Sequence, residues 1–213
     1  MIDLPPPPEH LYRLRTLSPI VSLETLYRLA ALVPSDEAIV ELGTFRGASA
    51  VWMAAGARAG LGAHVWTIDP HDLPGHRTTT GRSPGTIRYE DPAIRQDAER
   101  QIAESGFGDG VTMIRGFSVE EAGRWTGPKV GLLFIDGDHR EHAARKDFRS
   151  WQPHLSPYAA VCFDDYADSH PGVPAAVEKL VERHVLLPPI TYGRIAVTAT
   201  IPSRERPYFE ESA

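Results

Sequence analysis

The sequence predicts a doubly wound α/β fold: a mostly parallel sheet with helices on both faces and one antiparallel strand at the C-terminal end. Three observations carry this reading. Short apolar runs rich in Val, Ile and Leu alternate with stretches whose apolar residues recur at helical spacing. The runs are apolar on successive residues, as strands covered on both faces must be. Several stop abruptly at Gly or at an acidic residue, at Gly43, Asp69, Asp136 and Asp164.

Taken in order, Pro5 to Pro8 form a stiff arm, and Leu23, Leu26, Leu29, Ala30 and Val33 mark a leading helix. Ala38 to Leu42 is the first strand and runs into Gly43. Ala48 to Ala59 follows as an Ala-rich helix containing Val51, Trp52 and Met53, and Val65 to Ile68 is the second strand. From Pro70 to Asp91 the chain is polar and rich in Gly and Pro, with no apolar period. A plain connection is seldom so long, so this stretch reads as a functional loop or lid. Ile94 to Ile102 is a helix, and Val111 to Ile114 the third strand. Val130 to Ile135 and Ala159 to Phe163 are the fourth and fifth strands, separated by a helix with the buried stripe Ala144, Phe148, Trp151 and Leu155. Ala175 to Val185 is a further amphipathic helix, and Tyr192 to Ile201 alternates over its central part as a final strand, added antiparallel at or near an edge. Residues 1–35 read as an N-terminal arm and helix serving as lid or oligomer contact, and residues 36–213 as one domain.

Composition narrows the function. A chain of 213 residues with 42% hydrophobic and 23% charged content suits one soluble domain with a full core. The net charge of −6 and the lack of a Lys/Arg stripe exclude a nucleic-acid backbone as partner and favour a small polar one. The single cysteine, Cys162, lies inside an apolar strand and reads as a buried thiol, which suits a reducing compartment. No leader pattern or membrane-length apolar run is seen, so the expectation is a cytoplasmic protein, as a homo-oligomer.

In such a sheet ligands bind beyond the carboxyl ends of the strands, which makes the strand-end residues the candidates. Gly43 and Gly47 in Glu41-Leu42-Gly43-Thr44-Phe45-Arg46-Gly47 let the backbone turn tightly ahead of a helix N-terminus. A dinucleotide fold needs a glycine where Phe45 stands, which disfavours NAD. Glu41 suits a ligand with an ammonium group, and Asp69 can accept both hydroxyls of a ribose. Asp136 and Asp138, then Asp164 and Asp165, place carboxylates at neighbouring strand ends. Like charges that close call for a proton or a hard divalent cation such as Mg²⁺ or Mn²⁺, although capping and solvated loop charge explain either pair alone.

These motifs resemble the class I S-adenosylmethionine-dependent methyltransferases over about residues 36 to 200. Glu41 to Gly47 is similar to the family's first motif, Ile68-Asp69 to its ribose-binding acid, and Gly116-Phe117-Ser118 to the turn beside adenine. Phe134-Ile135-Asp136 and Phe163-Asp164-Asp165 resemble the metal positions of the cation-dependent O-methyltransferases, of both the catechol and the macrocin or macrolide-sugar type. The resemblance implies a Rossmann-like methyltransferase sheet and a cofactor site of Glu41, Gly43, Thr44, Gly47, Ser49, Asp69, Ser118 and Asp136. It also implies Mg²⁺ (or Mn²⁺) on Asp136, Asp164 and Asp165. Catechol-type enzymes commonly carry a lysine base where this chain has His139. His139 is therefore the expected base, with Asp138 as alternative or orienter and His142 a surface residue.

The implied activity is methyl transfer to a hydroxyl of a sugar or other small polyhydroxy acceptor, as in natural-product enzymes or a mycobacterial methylmannose polysaccharide enzyme. Arg77, Arg82, Arg88 and Tyr89 of the long loop are the expected acceptor contacts. A catechol or phenylpropanoid acceptor, a metal-dependent hydrolase and a non-catalytic S-adenosylmethionine-binding protein are the competing readings.

Overall fold

A computed structural model describes residues 4–71, 73, 92–202 and 205. The described elements are helix α1 (Ile20–Ala30), strand β1 (Ala38–Leu42), α2 (Ala48–Ala59), β2 (His64–Asp69), α3 (Pro92–Glu104), β3 (Val111–Arg115), α4 (Ser118–Arg124), β4 (Val130–Ile135), α5 (Glu141–Trp151), β5 (Leu155–Phe163), α6 (Gly172–Glu182), β6 (Ile190–Tyr192) and β7 (Ile195–Ala199). The sheet runs β3-β2-β1-β4-β5-β7-β6, parallel from β3 to β5 and antiparallel across β5–β7 and β7–β6. This is the doubly wound architecture the alternation predicts.

Successive strand residues feed opposite layers because strand side chains alternate. Val40, Leu42, Leu133, Ile135, Val161 and Phe163 pack with Phe148 and Trp151 of α5 and with Val173, Val177 and Leu180 of α6. Ile39, Leu132, Phe134 and Cys162 face Leu26 and Ala30 of α1 and Ala50, Met53, Ala54 and Ala57 of α2. Gly56 of α2 permits a very close approach to α1, since a Cβ there would lie 2.1 Å from the Tyr27 carbonyl oxygen. Cys162 is fully buried, and burial pushes its thiol pKa far up, as expected of a structural thiol. No helix among the described residues is long and apolar enough to cross a membrane.

Register aligns the strand ends. Leu42 pairs with Ile68 on one side and Ile135 on the other, and Ile135 pairs with Phe163. Gly43, Asp69, Asp136 and Asp164, each one residue further along, therefore leave the sheet along one edge.

The structure corrects three expectations. The single final strand is a hairpin: Gly193, at φ 64°, turns the chain between β6 and β7, so β7 lies antiparallel near the edge as expected and β6 forms the edge itself. Leu155 opens β5 and does not close the preceding helix, because α5 stops at Trp151 and a 3₁₀ turn containing Pro153 follows. Helix α4 was not expected, since Ala122 is its only buried residue and a single apolar position shows no period. Of the stretch read as a lid, Pro70, His71 and Leu73 are described; Arg77, Arg82, Arg88 and Tyr89 lie outside the described residues.

Candidate functional site

A cavity of about 550 Å³ opens at the carboxyl edge of the sheet. Its wall combines the loop after β1, the ends of β2, β4 and β5, the start of α4, the segment from Asp136 into α5, Arg194, and Arg15 to Ser18 of the N-terminal arm.

The loop after β1 is held by its neighbours. Gly43 has φ 103°, and a Cβ there would stand 2.2 Å from the Asp136 carbonyl oxygen, so only glycine lets the ends of β1 and β4 cross so closely. The Gly43 amide donates to the Ile68 carbonyl (2.8 Å) and the Asp136 amide to that of Leu42 (2.8 Å). Asp69 Oδ2 accepts from the amides of Thr44 and Phe45 (2.9 Å each), and Oδ1 accepts from the amide of His71 (2.7 Å). Asp69 thus pins the loop, and its remaining acceptor capacity faces the cavity.

Glu41 is 0% exposed and accepts hydrogen bonds from Ser49 Oγ and Thr67 Oγ1, the latter paired with Thr44 Oγ1 at 2.6 Å. Burial, with the Asp69 carboxylate nearby, raises its pKa to about 8, against the two hydroxyl bonds that lower it. Glu41 and Gly47 are not part of the cavity wall; Gly43, Thr44, Ser49, Asp69, Ser118 and Asp136 are. Glu41 braces the loop from behind, and Gly47, at φ 80°, opens α2 against Ile102.

The acidic groups converge as the strand ends require. Asp136, Asp164 and Asp165 all line the cavity, with Asp164 4% and Asp165 8% exposed. Burial, then the carboxylates of Asp164, Glu41 and Asp165, pushes the Asp136 pKa well above the usual range. Burial and Asp165 raise Asp164 to about 6 although Arg194 opposes them. Arg194 enters from the β6–β7 turn, with Nη1 3.2 Å from Asp165 Oδ1 and Nη2 3.9 Å from Asp164 Oδ2. Asp164 Oδ1 is buried without a hydrogen bond, and Asp165 Oδ1 has only its ion pair with Arg194. A buried carboxylate oxygen left so is costly, and either a proton or a divalent cation relieves it.

His139 Nε2 and His170 Nδ1 each stand 3.4 Å from Asp165 Oδ2, and the two rings are 4.8 Å apart. Burial holds the His139 pKa below its usual range, although Asp165 opposes it. Asp138 lies in the wall next to His139. Partial burial raises its pKa, but bonds from Arg140 Nε (2.8 Å), Nη2 and the Arg140 amide (3.0 Å) outweigh this and keep it below the usual range. His142 is exposed at the rim.

Three contributors escaped the sequence reading, His170, Arg194 and Asp147, while Arg15 to Ser18 belong to the arm expected as a lid or oligomer contact. His170 and Arg194 lie on connections, and only proximity in space joins them to the acids. Arg15 to Ser18 reach the site through the arm, where Arg194 Nη2 donates to the Leu17 carbonyl at 3.1 Å. Asp147 left a visible signal, an acid three residues after Ala144 on the buried stripe of α5. It is 8% exposed, accepts from Ser118 Oγ, and burial raises its pKa to about 6.

The sequence profile described as a methyltransferase domain matches residues 40–166, more than half of the chain. The chain belongs to this methyltransferase family. Among solved structures, the fold is similar to the O-methyltransferase NovP (TM-score 0.69, 20% identity, covering 87% of this chain and 81% of that one). It is also similar to cofactor-bound Rv0187 from MTB (0.66, 19%, 93% and 84%). A third is the O-methyltransferase TomG from Streptomyces achromogenes, involved in tomaymycin synthesis and solved with SAM (0.62, 18%, 94% and 93%). The match spans the loop after β1, Asp69, Asp136 and the Asp164–Asp165 pair, while Arg15 to Ser18 and Arg194 of the cavity wall lie outside it.

Proposed function

We propose that this methyltransferase moves the methyl of S-adenosylmethionine to a hydroxyl of a sugar or other small polyhydroxy acceptor, with a divalent cation, Mg²⁺ or Mn²⁺, at its acidic centre. The observation that carries the reading is the buried Asp164 carboxylate, whose Oδ1 has no hydrogen-bond partner, next to Asp165 and a glycine turn pinned by Asp69. An arrangement that crowds acids at one cavity is unfavourable by itself and makes sense where a cation is to be held. NovP and TomG, which share the fold, are named as O-methyltransferases, and TomG was solved with SAM.

In this reading Gly43, Thr44, Ser49 and Asp69 receive the nucleoside and amino-acid parts of S-adenosylmethionine, with Ser118 beside the adenine. Asp136, Asp164 and Asp165 hold the cation, which when bound supplies positive charge that makes an acceptor hydroxyl easier to ionise. The acceptor hydroxyl lies in line with the methyl–sulfur bond, and its oxygen forms the new bond to carbon as that to sulfur breaks. Asp138, kept ionised by Arg140, takes the hydroxyl proton. The sequence expectation named His139 first for this step; its Nε2 is turned toward Asp165, which favours Asp138. Arg15 to Ser18 in the cavity wall support residues 1–35 as a covering arm, and the chain's acidic balance suits an uncharged acceptor in the cytoplasm.

The test is incubation with labelled S-adenosylmethionine and a panel of sugars and catechols, with and without EDTA. Label transferred to a sugar only when the metal is present supports the reading. Full activity in chelator, or transfer confined to catechols, sinks the corresponding part.

A further inference from the structure

We infer that His139, Asp165 and His170 form a nitrogen-rich metal centre, so that the ion held here is an imidazole-binding divalent metal of the Mn²⁺ to Zn²⁺ series in preference to Mg²⁺. The inference rests on the metal-dependent reading above and goes beyond it by naming ligands and ion class. Three observations carry it.

The first is spacing. Both imidazole nitrogens approach one oxygen, Asp165 Oδ2, at 3.4 Å, and one donor atom from each of the three residues lies within 4.8 Å of the others. A distance of 3.4 Å is longer than a good hydrogen bond. It is the separation expected between neighbouring donors around an ion bound at about 2.1 Å, roughly 3.0 Å in octahedral and 3.4 Å in tetrahedral geometry. The second is the division of labour on Asp165: Arg194 stands against Oδ1, leaving Oδ2 to the imidazoles. The third is the adjacent Asp164, 4% exposed, whose Oδ1 has no hydrogen-bond partner. Asp164 adds a carboxylate beside the three-residue cluster, not within it.

Local structure holds the three in place. Asp165 adopts φ 53°, a left-handed conformation that an aspartate takes at some cost. Gly172 lets the start of α6 lie against the segment after β4, since a Cβ there would meet the His139 carbonyl oxygen at 2.4 Å. This contact brings the connection bearing His170 to His139. The other polar contact of His170 Nδ1 is Ser169 Oγ at 3.1 Å, an exposed hydroxyl that water can replace. Mg²⁺ prefers oxygen donors and retains its water, whereas imidazole suits the later first-row ions. A site that adds two imidazoles to carboxylates therefore shifts the choice of ion, and makes His139 a ligand.

Calorimetric titration of the full chain with Co²⁺ and, separately, with Mg²⁺ tests this, together with proton NMR of the Co²⁺ form for shifted imidazole N–H signals. In the wild type two such signals are expected. His170→Asn and His139→Asn should each lower Co²⁺ affinity at least tenfold, leave Mg²⁺ affinity within about twofold, and remove one shifted signal. Circular dichroism and S-adenosylhomocysteine binding report whether each variant is folded. Should His170→Asn fail to fold, His170→Gln and the wild-type NMR spectrum decide. Unchanged Co²⁺ affinity in folded variants, or a Co²⁺ form without shifted imidazole signals, overturns the inference while leaving an oxygen-only metal site standing. Failure of S-adenosylhomocysteine to bind the wild type instead overturns the proposed function, and the metal titration is read independently of it.

Discussion

Two carboxyl groups with different surroundings, Asp69 and Asp147, behave differently at the scale of single residues. Asp69 accepts three backbone amides and faces the cavity, so it links loop conformation to ligand binding. Replacing it with Ala removes the pins and the proposed ribose contact together. S-adenosylhomocysteine affinity should fall about tenfold or more by calorimetry, the equivalent of roughly 1.5 to 3 kcal/mol for charge-assisted bonds. Unchanged affinity in a folded variant would remove Asp69 from the binding site. Asp147 makes a different statement. Its folded-state pKa of about 6 lies above the value of about 3.9 for an unfolded Asp. The folded chain therefore keeps this proton longer than the unfolded one, and stability is lost as pH rises between the two values. Asp147→Asn should stabilise the protein by about 1 to 2 kcal/mol at pH 7.5, with the gain gone below about pH 4. Melting curves of both proteins at the two pH values check this; a pH-independent difference would mean that the charge of Asp147 is not the cause.

At the scale of elements, legibility followed apolar periodicity. Helix α2 was read from Ala48 to Ala59 because its apolar positions and its entry glycine are local signals. Helix α4 and the β6–β7 hairpin were not, because one buried alanine and a three-residue strand exposed along its length leave no period to detect. The same close packing that makes α2 buried makes it intolerant. Gly56→Ala would set a methyl 2.1 Å from the Tyr27 carbonyl and force α1 and α2 apart, so a loss of about 1 to 3 kcal/mol is expected by urea unfolding. A neutral result would show that α1 yields freely at this crossing.

The whole molecule matters most at the acidic centre. Strand register brings Asp136 and Asp164 to one edge, the following turn adds Asp165, and the β6–β7 hairpin returns Arg194 to face them. If the centre holds a cation for the acceptor and not for the nucleoside, Asp164→Asn or chelation should abolish turnover and leave S-adenosylhomocysteine affinity within about twofold. A parallel loss of both would assign the acid to cofactor binding. Asp138→Asn should also lower turnover by about 10² to 10⁴ with cofactor and metal binding intact, as for loss of a base. Near-normal turnover in that variant would return the base to another group.

The sequence by itself determined the doubly wound class, most of the strands, the glycine turn after β1 and the acids at the strand ends. These are written in local periodicity and in residues that stop a strand. Only the tertiary structure decided that Glu41 stands behind the loop and outside the cavity wall, that Asp147 and the N-terminal arm border the site, and that His170 and Arg194 meet Asp165. Those relations join residues far apart in the chain through sheet register and a hairpin. No local pattern records them, because the distance between two side chains on separate connections is set by how the layers pack.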